Sequence, residues 1–127
     1  MSETLLKRVS DHLSGGSLLD GYTVRYFRWT DDNGNEPTIL FRTAGTQGAL
    51  TDFTVQYPDV QVVLIGTPSS VNDDSERCRQ IYQYCRENFD IDGGLNIEPL
   101  SAVFGPFYLD DGRPWFQLDF RLIVNDH

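Results

Sequence analysis

The sequence predicts an α+β fold: a mostly antiparallel sheet of four to five strands with two helices packed on one side. Three observations carry this. Two segments repeat their apolar residues at helical spacing. Four or five others alternate with a period of two or run continuously apolar over a short length. The order of these segments suggests a mostly antiparallel sheet with the helices gathered on one face.

The first helix is expected over Ser2 to Ser14, where Leu5, Leu6, Val9 and Leu13 form one stripe and Lys7, Arg8 and Asp11 fall on the polar side. Gly15 and Gly16 then act as stop signals. From Tyr22 to Trp29 the period changes to two, with Tyr22, Val24 and Tyr26 on one side and Thr23, Arg25, Phe27 and Trp29 on the other. The turn signal Asp31-Asp32-Asn33-Gly34-Asn35 and a second strand, Thr38 to Arg42, predict a β-hairpin.

Thr43 to Pro58 reads as an irregular loop with room for a short strand at Phe53 to Gln56; such long loops often bind. Val60 to Ile65 is the most apolar run and fits a strand buried on both faces. The second helix is expected over Asn72 to Asn88, with Cys78, Ile81, Tyr82, Cys85 and Phe89 on its buried face. Asp73 and Glu76 have capping-box spacing, and Asp73, Asp74 and Glu76 suit the positive end of the helix dipole. Asp92-Gly93-Gly94 ends that segment.

Leu95 to Phe104 reads as an edge or bulged strand interrupted at Pro99. Gly105-Pro106 and Asp110-Asp111-Gly112-Arg113-Pro114 bracket a turn region. The closing strand, Trp115 to Val124, has one apolar face of Phe116, Leu118, Phe120, Leu122 and Val124. Its other face mixes Trp115, Gln117, Asp119, Arg121 and Ile123, and is open to water or to another subunit.

Composition bounds the function. A chain of 127 residues fits one domain, 1–127, with enough apolar material at 39% to bury a core. The net charge of −9 argues against a wrapped nucleic-acid contact and against an anionic membrane surface. Lys7 is the only lysine, so the cationic complement is arginine, which suits fixed carboxylate contacts within or between subunits. Cys78 and Cys85 lie roughly 10 Å apart along one helix, too far for a disulfide, and read as small core residues. No apolar stretch is long enough for a transmembrane helix, and the polar start of the chain gives no secretory signal.

A catalytic constellation is not expected. His12 and His127 lack partners at metal-ligand spacing and read as solvated. The paired glycines lack a phosphate-loop pattern, and no serine sits in a nucleophile elbow. Asp31, Asn33, Asn35 and Glu36 loosely resemble a calcium loop but lack its downstream glutamate. No cofactor and no metal are expected.

The order of elements resembles the tail terminator (minor tail) proteins of long-tailed bacteriophages and prophages. The likeness rests on the N-terminal amphipathic helix and on the run Pro58-Asp59-Val60-Gln61-Val62 leading into Gly66. It also rests on the helix face of Arg77, Ile81 and Tyr82, and on the turn Asp110-Asp111-Gly112-Arg113 before the strand Phe116 to Asn125. The resemblance implies a hexameric ring that caps the tail tube, joins the head connector and lets DNA pass through a lumen without specific binding. It implies a place in the virion tail, after assembly in the host cytoplasm. On that reading Arg25, Arg42, Arg113, Asp119 and Arg121 are candidates for the subunit interface, with pairing inside the subunit as the equal alternative. Asp31, Asp32, Glu36, Gln47, Asp52 and Phe53 are candidates for loops that touch the tube or connector.

Two other classes remain open at this level. A small α+β enzyme or ligand-binding domain requires a pocket with convergent polar groups. A regulatory adaptor would bind its partner through the mixed face of the last strand.

Overall fold

A computed structural model describes residues 2–27, 36–43, 59–91 and 95–124, with the backbone alone at 2–5 and 124. The elements in chain order are α1 (Ser2–Ser14), β1 (Thr23–Tyr26), β2 (Thr38–Thr43), β3 (Asp59–Ile65), α2 (Val71–Glu87), β4 (Leu95–Pro99), β5 (Phe104–Tyr108) and β6 (Pro114–Val124). The strands form one mixed sheet in the order β1-β2-β3-β6-β4, with β5 also paired to β6.

The α+β class holds, with six strands rather than four to five. The expected Leu95-to-Phe104 strand stops at Pro99 as β4, and the extra strand, β5, forms from Phe104 onward in the segment expected as a turn region. The two share one edge of the long strand β6: β4 pairs with the C-terminal half and β5 with the N-terminal half. Gly105-Pro106 therefore lies inside β5 rather than bounding a turn region. The acidic turn does close a hairpin: Leu109 N–H donates to the Arg113 carbonyl at 2.9 Å, and Gly112 adopts φ +89° between them.

The first strand pair corrects the hairpin expectation. β1 and β2 run parallel, in the register Thr23↔Thr38 to Tyr26↔Phe41. A parallel pair cannot be closed by a tight turn; the chain must travel back to the start of the neighbour. The expected turn Asp31-Asp32-Asn33-Gly34-Asn35 lies outside the described residues. The other pairings in the sheet are antiparallel.

Alternation sorts the sheet into two faces. Ile39, Phe41, Val62, Leu64, Phe116, Leu118, Phe120 and Leu122 point to the helices and are buried with Leu6, Val9 and Leu13 of α1 and Cys78, Ile81 and Cys85 of α2. Each large side chain so buried contributes about 2 kcal/mol of transfer free energy. Both helices thus pack on one side, as expected. Leu40, Val63 and Ile65 make a smaller cluster on the opposite face with Leu109 and Trp115, so β3 is buried on both sides. The side chains of Leu5 and Val124, assigned to the two apolar stripes, lie outside the described residues, as do Trp29 and Asp92-Gly93-Gly94.

Helix α2 begins one residue before the expected position, and its cap differs. Ser70 is the N-cap residue, while Asp73 is inside the first turn and caps nothing. Glu76 pairs with Arg79 one turn on, and that contact lowers its pKa. Asp73 and Asp74 do sit in the first turn, where the helix dipole favours them. Phe89 falls beyond the helix end and is exposed instead of continuing the buried stripe. His12 also departs from the solvated reading: its Nε2 donates to the Asn88 carbonyl at 2.7 Å, and its ring leans on Tyr84.

Candidate assembly surface

The helix-free face of the sheet brings together four of the five arginine and aspartate candidates. Register places Arg42 beside Gln61 and Gln61 beside Asp119, one residue from each of β2, β3 and β6. Arg42 Nε donates to Gln61 Oε1 at 2.7 Å, and Gln117 Nε2 donates to Asp119 Oδ1 at 3.1 Å. One rung further, Asp59, Arg121 and Glu98 align across β3, β6 and β4. Arg121 Nε lies 3.2 Å from Asp59 Oδ1. Arg25 reaches Glu36 at 3.9 Å from the outer strand β1.

These contacts are half exposed, and pairs of this kind contribute about 0–1 kcal/mol to folding. A guanidinium already fixed by one acceptor keeps further N–H donors for a second carboxylate.

Arg113 makes its contacts inside the subunit, the second of its two expected roles. It is fully buried, its Nε donates to the Gly66 carbonyl at 2.8 Å and its Nη2 to the Glu36 carbonyl at 2.7 Å. It joins the start of β6 to the end of β3 and to the approach to β2, and it offers nothing to a neighbouring subunit. Of the loop candidates, Glu36 is exposed, with its carboxylate toward Arg25. Asp31, Asp32, Gln47, Asp52 and Phe53 lie outside the described residues, as does the expected short strand at Phe53 to Gln56.

Two features went unread in the sequence. Asp74 is buried and accepts hydrogen bonds from Tyr22 Oη and Ser70 Oγ, each at 2.5 Å. Burial and this carboxylate together raise the Tyr22 pKa. Asp74 extends the stripe of Cys78, Ile81 and Cys85 one turn toward the N-terminus, so helical spacing alone pointed to it. The second feature is the aromatic edge. Phe104, Phe107 and Tyr108 of β5 are exposed, with Phe107 set 4.7 Å from the Trp115 ring. An aromatic-rich pentapeptide containing Pro106 is the signal that was available.

Among the described residues, no three His, Cys, Asp or Glu side chains gather in a group that could hold a metal ion. Burial pushes the Cys78 and Cys85 thiols up to about 12, so neither is a nucleophile at neutral pH. Open grooves run along α2, one beside Gly16, Arg77 and Tyr84 and one beside Phe89, Pro99 and Ile123. Among the described residues, no helix is long and apolar enough to cross a membrane.

A sheet with helices on one face and a charged second face defines a chain that presents a broad strand surface. Residues 2–126, nearly the whole chain, match the family described as phage tail termination protein, and the chain belongs to that family. It is therefore a structural component of a phage tail. No curated protein matches the sequence.

Proposed function

We propose that this chain ends the growth of a phage tail tube by closing a ring of its own copies on the tube end, and that the ring presents the surface on which the head connector docks. The family match over residues 2–126 carries the reading. The ring is hexameric, assembled in the host cytoplasm and retained in the virion tail. It works by assembly, without turnover.

The charged sheet face and the net charge of the chain support self-assembly and the passage of DNA. Arg42, Asp119 and Arg121 on the helix-free face have donors and acceptors left for a partner's charges, and Arg25 and Glu36 extend this set to the outer strand. A ring of chains each carrying −9 has a strongly acidic surface. Like charge keeps DNA phosphate from adhering as it passes through the lumen. The tube protein and the connector meet opposite rims of the ring, with the loops carrying Asp31, Asp32, Glu36, Gln47, Asp52 and Phe53 as the contacts.

The test is tube growth. Purified tube protein polymerising on its assembly scaffold is imaged by electron microscopy with and without this chain. Tubes of uniform length with it and overgrown tubes without it are expected. Equal length distributions in both samples would sink the proposal.

A further inference from the structure

Strand β5 is unlike the rest of the sheet. Each of its five residues, Phe104 to Tyr108, is exposed, whereas every other described strand buries or half-buries most of its residues. Three of the five are aromatic. Register sets Phe104 opposite Gln117 and Phe107 opposite Trp115, so both rings stand on the helix-free side of the sheet. Tyr108 follows, with 60% of its surface in water. Clustered exposure of this kind marks a contact surface, whereas single exposed apolar residues do not.

The strip is held in place before any partner arrives. Gly105 lies so close to β6 that a Cβ there would stand 2.9 Å from the Trp115 carbonyl oxygen and 3.1 Å from the Phe116 ring. Phe107 packs on Trp115 with ring centres 4.7 Å apart. A surface fixed in advance loses less entropy on binding. The edge is poorly built for strand addition, since Pro106 has no N–H to donate and the register shifts between Phe104 and Phe107. Recognition therefore runs through the side chains.

Charge points to the occupant. The strand runs directly into Asp110 and Asp111, both exposed and neither in an ion pair among the described residues. Aromatic ring faces share the preference of these carboxylates, because their quadrupole attracts a guanidinium or ammonium group. A second copy of this chain brings the same excess of carboxylates, 19 acidic against 10 basic residues. We infer that the β5 strip and the β5–β6 turn dock a segment of a different virion protein, one that sets arginine or lysine beside apolar side chains. The apolar side chains of that segment pack on Phe104 and Phe107, and its cation lies between the Tyr108 ring and the Asp110 and Asp111 carboxylates. Aromatic and arginine anchors of this kind dominate contact energies. This docking needs the chain to be a tail component, which the family match shows, and does not need a ring to close.

The test puts the photoreactive residue p-benzoylphenylalanine at position 108 in tails assembled by the phage, and mass spectrometry reads the crosslinked segment. A crosslink to another virion protein, in a segment that carries Arg or Lys beside apolar residues, is expected. A crosslink to a second copy, a crosslink to a segment without a basic residue, or tails that contain the probe and give no crosslink would each overturn the docking. The Asp110→Asn, Asp111→Asn double variant then reads the charge, since it keeps the acceptor that Asp111 Oδ1 offers to the Arg113 N–H. Thermal unfolding first establishes that it folds. Its binding to the purified crosslinked protein at low salt is expected to weaken about tenfold and to lose most of its salt dependence. A folded double variant that binds like the wild type at every salt concentration would overturn the docking as well. Equal tube lengths with and without the chain would sink the ring reading and leave this docking standing, so the two fail separately.

Discussion

The Nε of Arg113 donates to the carbonyl of Gly66 at 2.8 Å, deep under the junction of β3 and β6. The same guanidinium holds the Glu36 carbonyl, so one side chain fixes three separate segments. Arg113→Ala leaves the Gly66 carbonyl without this donor in a buried place and opens a cavity, while the Glu36 carbonyl keeps the Thr38 hydroxyl at 3.0 Å. Each buried unsatisfied group costs about 1–3 kcal/mol. A loss of about 3–5 kcal/mol is expected, read from urea unfolding. Arg113→Lys does not restore it, because a single ammonium cannot span both carbonyls in the geometry of a planar fork.

Gly66 is constrained from its other side as well. A Cβ at this position would stand 1.6 Å from Asp74 Oδ2 and 2.5 Å from Ser70 Oγ. Gly66→Ala therefore drives apart the network that receives the Tyr22 hydroxyl. Overpacking of this type costs about 1–3 kcal/mol, and displacing a hydrogen-bonded buried carboxylate adds to it. Thermal unfolding is expected to fall clearly for Gly66→Ala, and to fall less for Tyr22→Phe, which removes one donor without a clash.

The two buried thiols give a signed pH dependence. Their pKa values rise from 9.0 to about 12 on folding, with burial as the largest cause. The unfolded chain therefore gives up these protons first. Their contribution is intact below pH 9 and is lost as pH rises toward 12. The slope is about 1.4 kcal/mol per pH unit for each thiol in that window. Unfolding of the Cys78→Ala, Cys85→Ala double variant is expected to depend less on alkaline pH than that of the wild type. Native protein at neutral pH is expected to resist alkylation until unfolded.

On the helix-free face the expectation is reversed. Arg121→Ala removes a half-exposed pair with Asp59, so its effect on unfolding is expected to stay within about 1 kcal/mol. Its effect on self-assembly is expected to be larger, because a contact that excludes water strengthens the same charges. Chemical denaturation and sedimentation on one sample separate the two. A large loss of folding stability with unchanged assembly would mean that Arg121 works only within the subunit.

Legibility in the sequence followed the range of the interaction. Helices α1 and α2 were readable because the stripes of Leu6, Val9, Leu13 and of Cys78, Ile81, Cys85 record burial directly. The faces of β6 were readable for the same reason. The parallel pairing of β1 with β2 was not, because alternation shows which residues share a face and never the direction of the neighbouring strand. The two alternatives for Arg113 could not be separated, because nothing local signals the two distant carbonyls that it holds. Asp73 read as a cap because its spacing to Glu76 fits one, whereas Ser70 sits three residues earlier and its hydroxyl is engaged with Asp74. The aromatic edge was hidden by Pro106, which reads as a strand breaker and here sits in an edge strand that leaves its other neighbour free.

The proposed function requires this chain to stand as a closed ring at the head-proximal end of the tail tube. The most direct measurement is cryo-electron microscopy of isolated tails at the head-proximal end, with the chain carrying a small visible tag. A ring of tagged copies confined to that end is the predicted result. Tagged density along the tube, at the opposite tip, or absent from finished tails would contradict it.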